Sequence, residues 1–134
     1  MSDLLLDTHA LLWWLLDDPR LSEPACRAIA SPQARVAVSA ASLWEIAVKN
    51  RAGKLRQADA LLTEPFAVLR GEGFETVAIE PREALAAGQM DFAHRDPFDR
   101  MLIAQAILSD RMLVSNETLF DTASLDGKGL QRLW

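Results

Sequence analysis

A single cysteine, Cys26, is all the thiol chemistry this chain contains. One thiol excludes an internal disulfide and the paired-cysteine zinc spacings, suits a reducing cytoplasm, and leaves Cys26 as a small core residue. Basic side chains are also in deficit: 14 Lys and Arg stand against 19 Asp and Glu, a formal charge of −5. That balance argues against a protein that coats nucleic acid by phosphate neutralisation alone. It is compatible with an enzyme that gathers carboxylates around cations and offers a local basic track. No apolar run approaches the roughly 20 residues that span a bilayer; the longest, Ala10 to Leu16, is cut from Leu4–Leu6 by Asp7, Thr8 and His9. Met1-Ser2-Asp3 lacks the basic lead of a secretory signal, and repeats, low-complexity tracts and linkers are missing.

What is present is a 134-residue chain, half hydrophobic and a quarter charged, long enough for one globular domain, 1–134, with its own core. Short apolar runs alternate with helical patterns. Asp3–Leu6 reads as a buried strand, followed by a helix over Thr8–Leu16 that Asp17-Asp18-Pro19 ends. Ser22 and Pro24 open a helix to about Ala30, and Arg35–Val38 is a second strand. A helix then runs through SLWEIAVKNRAGKL, with Gly53 as its stop. Ala58–Arg70 reads as one helix closed by Gly71 and Gly73, and FETVAI as a half-buried strand. Pro81 starts a helix ending near Gly88. A loop, Met90–Arg95, leads to a helix from Asp96, and MLVS and LQRLW are two last strands around a turn near Thr118–Asp121. Such alternation predicts a parallel sheet covered on both faces, with ligands bound beyond the carboxyl ends of the strands.

The acids admit two readings. Asp7 sits between a strand and a helix and is a natural N-cap. Ser42-Leu43-Trp44-Glu45 has the form of a capping box. Asp96-Pro97-Phe98-Asp99 places a cap, a first-turn proline and an acid facing the positive helix end. Together, however, Asp7, Glu45, Asp99 and Glu117 come from four distant segments that feed one edge of the sheet. Caps are served equally by Ser, Thr or Asn, whereas hard divalent cations call for anionic oxygen. Asp99 also shares the stripe of Ile103 and Ala106, where a charge needs a partner. Without metal, mutual repulsion is expected to raise at least one of these carboxyl pKa values.

In order, LLLDTHALLWWL, SAASLWEIAVK, HRDPFDRMLIAQA and LVSNETLFD resemble, across nearly the whole chain, the segments of a PIN-domain ribonuclease of the VapC toxin type. The resemblance implies a three-layer α/β/α domain with a five-stranded parallel sheet, Mg²⁺- or Mn²⁺-dependent cleavage of RNA, and an antitoxin partner. Carried over by position, the acids are Asp7, Glu45 and Asp99, with Glu117 where Asp is commoner and Asp121 as the second candidate for that fourth duty. Asp96 is assigned mainly to capping. Thr8 either orients a ligand or fills a helical turn, and Arg100 either contacts a phosphate or pairs with a surface acid. His9 is expected to pack locally, and His94 is a loop residue that is a candidate for substrate contact or a plain loop position. Lys49, Arg51, Lys54 and Arg56 are a candidate RNA track or a solvated helix end. Trp13, Trp14 and Trp44 are candidates for base stacking, for core packing or for a homodimer surface.

Three rivals remain. A haloacid-dehalogenase-like phosphatase needs a second Asp two positions after Asp7, where His9 stands. A response-regulator receiver needs an early acidic pair that is not found. A catalytically silent binding module on the same scaffold keeps the acids without turnover.

Overall fold

The computed structural model describes residues 2–134. The first strand, β1 (Ser2–Leu6), leads into α1 (Thr8–Leu15), and α2 (Glu23–Ala30), β2 (Ala34–Ser39) and α3 (Ala40–Arg51) follow. Next come a 3-10 turn (Arg56–Ala58), α4 (Asp59–Thr63), α5 (Pro65–Gly71), β3 (Glu75–Val77), α6 (Pro81–Gln89) and α7 (Pro97–Leu108). The chain closes with β4 (Met112–Val114), a second 3-10 turn (Thr118–Thr122), a ribbon of β5 (Ser124–Leu125) and β6 (Lys128–Gly129), and β7 (Arg132–Leu133). The five-stranded sheet runs β3-β2-β1-β4-β7, and every pairing in it is parallel. The expected α/β architecture is therefore present, with β1 in the middle.

The two-residue period of β1 explains why its run of leucines is needed on both faces. Leu4 and Leu6 enter one core with Val36, Val38, Val114 and the apolar sides of α1, α2, α4 and α5. Leu5 enters the other with Ala37, Leu113 and the buried stripe of α7, Leu102, Ile103 and Ala106. A central parallel strand buried on both faces has no room for polar alternation. Cys26 lies partly buried at the margin of the first core, as a small apolar residue would.

Three local expectations need correction, and a fourth feature adds to them. First, α3 starts at Ala40, capped by Ser39, whose hydroxyl accepts the Ala41 N–H at 3.0 Å. Ser42 is buried inside the helix, so the Ser42–Glu45 capping box does not form, and Glu45 stands in the second turn. Ser39 wins because β2 ends on it and its hydroxyl also donates to Gln105 at 2.5 Å. Second, the helix expected over 58–70 breaks at Glu64 (φ −139°, ψ 62°), because Pro65 disfavours the helical region for the residue before it. Third, FETVAI and LQRLW shrink to the strands β3 and β7. Fourth, Asp126-Gly127, both at positive φ (51° and 82°), makes a hairpin turn between β5 and β6, a pairing that an Asp-Gly dipeptide favours. Gly53 does end α3 as expected: at φ 79° it lets Lys54 N–H reach back to Lys49 O at 3.0 Å.

Candidate active site

The carboxyl end of β1 delivers Asp7 to the edge where β2 and β4 also end. Its backbone N–H continues the β1–β4 ladder to Val114 O at 3.0 Å. Its side chain accepts the Ala10 N–H at 2.8 Å, capping α1. The cap is real and does not exhaust the residue: Asp7 is 7% exposed, and burial pushes its pKa from 3.8 up to about 6. The Ala10 N–H, the neighbouring Ser115 hydroxyl and His9 pull in the opposite direction, and the charge of Asp99 adds to the rise.

Glu45 comes from the second turn of α3 and is 3% exposed. One oxygen accepts the Thr8 hydroxyl at 2.5 Å, and the other takes the Lys49 ammonium one turn along the same helix. The Thr8 hydroxyl also lies 3.2 Å from that of Ser42. Lys49 is held protonated above its ordinary value, first by the hydrogen bond to Glu45 and then by the charges of Glu45, Asp96 and Asp99.

Asp99 stands in the first turn of α7, partly exposed, with its Oδ2 2.7 Å from His94 Nε2. Burial raises its pKa first, and Asp96 and Glu45 add to that, against the His94 contact. The rise expected from repulsion among the acids is thus present at Asp7 and Asp99, but desolvation is its larger cause at both. Asp96 caps α7 as expected, accepting from Phe98 N and Asp99 N at 2.9 and 3.1 Å.

The Arg100 guanidinium donates to the carbonyls of Ala87, Met90, Phe92 and His94 at 2.6 to 3.1 Å, so it shapes the loop before α7 and, among the described residues, does not pair with a surface acid. Glu117 is exposed and accepts Leu119 N–H at 3.2 Å, capping its own 3-10 turn. Asp121 is gripped by Arg132 through both oxygens, at 2.8 and 3.0 Å, which holds its carboxyl below the ordinary range. Of the two candidates for the fourth acid, Glu117 is the one without that clamp.

His9 is exposed and stacks on Trp13, centroids 5.5 Å apart. Trp13 and Trp14 pack against the first core, and Trp14 donates to Glu72 at 3.0 Å. Trp44 is 59% exposed against Phe98. Of the four cations near the end of α3, Lys49 turns into the site, and Arg51, Lys54 and Arg56 are exposed.

Three contributors were not singled out for these roles by the sequence. The Glu45–Lys49 pair was legible from its i, i+4 spacing. The His94–Asp99 contact crosses a loop and had no such signal. Ser115 is buried just past β4, beside Asp7, and accepts Glu117 N–H at 3.1 Å, linking two acidic segments. A polar residue directly after an apolar strand was its only cue.

A PIN-domain family model matches residues 4–124. The chain is also 31% identical over 118 residues, 87% of its length and 88% of the relative's, to Ribonuclease VapC22 of Mycobacterium tuberculosis. The chain belongs to the PIN-domain family and is of the VapC type. Solved structures agree on the fold of this PIN domain. A chain of the VapBC2 crystal structure from Rickettsia felis, bound to a DNA fragment from its promoter, superposes with TM-score 0.67 at 15% identity, covering 98% of this chain and 99% of that one. A domain of a functionally unknown Methanocaldococcus jannaschii protein gives 0.56 at 12% identity, with 100% and 92% covered. A chain of FitAB bound to an IR36 DNA fragment gives 0.51 at 17% identity, with 86% and 85% covered.

In type, the PIN-domain acids fit a hard divalent cation, since every donor is a carboxylate oxygen and two of the carboxyls are raised in pKa by burial. In position they are not yet closed on one point: among the described residues, no three acid, His or Cys side chains converge closely enough to hold an ion as placed. Glu45 is turned to Lys49 and Asp99 to His94, so those two cationic or polar groups occupy carboxylates that a metal would take.

Proposed function

We infer that this PIN domain is a metal-dependent endoribonuclease, the toxin of a toxin–antitoxin pair, hydrolysing phosphodiester bonds in RNA. The observation that carries the reading is Asp7, a buried carboxyl raised to about 6 at the carboxyl edge of β1 and coupled to Asp99 from a distant helix. A solvated capping residue has no need of that burial, whereas a group awaiting a cation does. The similarity to a ribonuclease of the VapC type points the same way.

Asp7, Glu45 and Asp99 are the residues to hold Mg²⁺ or Mn²⁺, with Glu117 as the fourth. A cation held there would supply Lewis-acid chemistry, making a water more acidic and stabilising charge on the attacking and leaving oxygens. The chain's own residues prepare for it. Thr8 fixes one oxygen of Glu45, Lys49 pairs with the other, and His94 holds Asp99 in the cleft. Arg100 fixes the loop that carries His94. Low solvent access at Asp7 and Glu45 strengthens each of these interactions.

A cognate antitoxin protein that covers the cleft, a cytoplasmic site of action and a homodimer belong to the same reading. Its support is the likeness in fold to chains from the VapBC2 and FitAB assemblies. Among the described residues, no helix is long and apolar enough to cross a membrane.

The test is incubation of a structured RNA pool with antitoxin-free protein in Mg²⁺, in Mn²⁺ and in chelator, with Asp99→Asn in parallel. Metal-dependent cutting that disappears in the variant supports the nuclease. Equal cutting by the variant, or none by the wild type, leaves the silent binding module in its place. Hydrolysis of small phosphomonoesters instead would favour the phosphatase, although His9, in the position of its second acid, is stacked on Trp13.

A further inference from the structure

Trp44 has no evident reason to be a tryptophan in this fold. It is 59% exposed, and among the described residues neither it nor Phe98 belongs to the two hydrophobic cores. The two rings meet nearly perpendicularly, 79° between planes with centroids 4.9 Å apart. Such a contact fixes the indole while leaving a flat face open. Its position is specific. Trp44 directly precedes Glu45 on α3, and Phe98 directly precedes Asp99 on α7, so the pair bridges the two helices at the points where they deliver acids. Along the same side of α3, Val48 and then Arg51 follow at i+4 and i+7, both exposed. A flat aromatic surface therefore lies at the lip of the acidic cleft, with a cation two helical turns beyond.

We propose that Trp44, held in place by Phe98, is a stacking platform for one base of single-stranded RNA beside the scissile phosphate, with Arg51 on the backbone further along. This rests on the nuclease reading and specifies its substrate: an unpaired segment whose base is splayed from the helix. A second copy of the chain is the competing occupant. The exposed cations beyond the stripe, Arg51, Lys54 and Arg56, however, repel a partner surface of the same charge. A polyanion meets no such repulsion. Stacking on a lone tryptophan accepts any base, so the platform selects single strands and not a sequence.

The experiment uses antitoxin-free protein in chelator, so that binding is read without cleavage. The probes are a short unstructured RNA oligonucleotide and the same oligonucleotide with abasic sites. Trp44→Ala is expected to bind the intact oligonucleotide roughly five-fold to a hundred-fold more weakly than wild type. Trp44→Phe should recover most of the loss, and the abasic oligonucleotide should bind wild type and Trp44→Ala equally. With metal added, KM for the intact oligonucleotide should rise in Trp44→Ala. Sedimentation velocity runs alongside. Unchanged RNA affinity in Trp44→Ala overturns the platform, and if that variant also loses an oligomer, the face belongs to a second copy. Wild type that cleaves while Trp44→Ala matches it ends this proposal alone; wild type that neither cleaves nor binds ends the nuclease reading as well.

Discussion

Thr8 donates its hydroxyl hydrogen to Glu45 Oε1 across 2.5 Å, tying the first turn of α1 to the second turn of α3. Both residues are buried, at 5% and 3% exposure, so the bond has little competition from water. Thr8→Val keeps the shape and removes the donor, leaving a buried carboxylate oxygen without its hydroxyl partner. The expected loss is about 1–3 kcal/mol, read as a lower urea midpoint, with a larger proportional loss of cleavage because Glu45 is no longer aimed. Thr8→Ser should restore both, and if Thr8→Val matches wild type in both assays, Thr8 merely fills its turn.

Asp7 makes stability depend on pH with a definite sign. Its native pKa of about 6 lies above the ordinary 3.8. Between those values the native state keeps a proton that the unfolded chain has released, so metal-free stability falls as pH rises from about 4 to about 6. Above that range the full cost of burying the charge, about 3 kcal/mol, is carried. Asp7→Asn removes the charge while its amide oxygen can still accept the Ala10 N–H. The variant is expected to be inactive, more stable than wild type by up to about 3 kcal/mol at pH 7.5 in chelator, and to lack this part of the slope. Equal stabilities at pH 7.5 would show that Asp7 is solvated and a simple cap.

The legible parts of this protein were those with short-range signals. The double burial of Leu4–Leu6, the caps at Asp7, Ser22 and Asp96, and the stop at Gly53 follow from period, cap chemistry and glycine. They sufficed for the fold class and for placing Asp7 and Asp99 at the carboxyl edge. What was not legible depended on choices made in three dimensions. Ser39 and Ser42 are equally good caps in sequence, and only the end of β2 and the reach of Gln105 select Ser39. Arg100 beside Asp99 resembles a phosphate ligand until the end of α6 and the loop through His94 fold over its guanidinium. The contact between His94 and Asp99 likewise exists only because that loop returns to the start of α7.

Arg100 gives a prediction that separates structure from substrate binding. Its fork holds carbonyls in the last turn of α6 and along the loop to α7, and an ammonium cannot reproduce that fan of donors. Arg100→Ala should cost on the order of 3 kcal/mol and expose the 90–95 loop to limited proteolysis, with Arg100→Lys recovering only part. At a temperature where Arg100→Lys stays folded, its affinity for RNA in chelator should equal that of wild type. A selective drop in RNA affinity with an intact loop would return Arg100 to the role of phosphate ligand.

The last acid can be assigned by comparing Glu117 with Asp121. Both lie just past β4, but Asp121 has each oxygen committed to Arg132, whereas Glu117 accepts the Leu119 N–H of its own turn. Releasing Asp121 would strand the Arg132 guanidinium, which also holds Ser115 O at 2.9 Å. Glu117 gives up only an exposed cap, worth about 1 kcal/mol. Glu117→Gln is therefore expected to raise the Mg²⁺ concentration needed for half-maximal cleavage by roughly ten-fold, about 1.4 kcal/mol of lost cation affinity, with little change in the urea midpoint. Asp121→Asn should leave the Mg²⁺ requirement in place and lower stability slightly, because an exposed ion pair contributes little. The converse pattern, a metal requirement that moves with Asp121 and ignores Glu117, would mean that Arg132 lets go of its partner when the cation arrives, and would make Asp121 the fourth ligand.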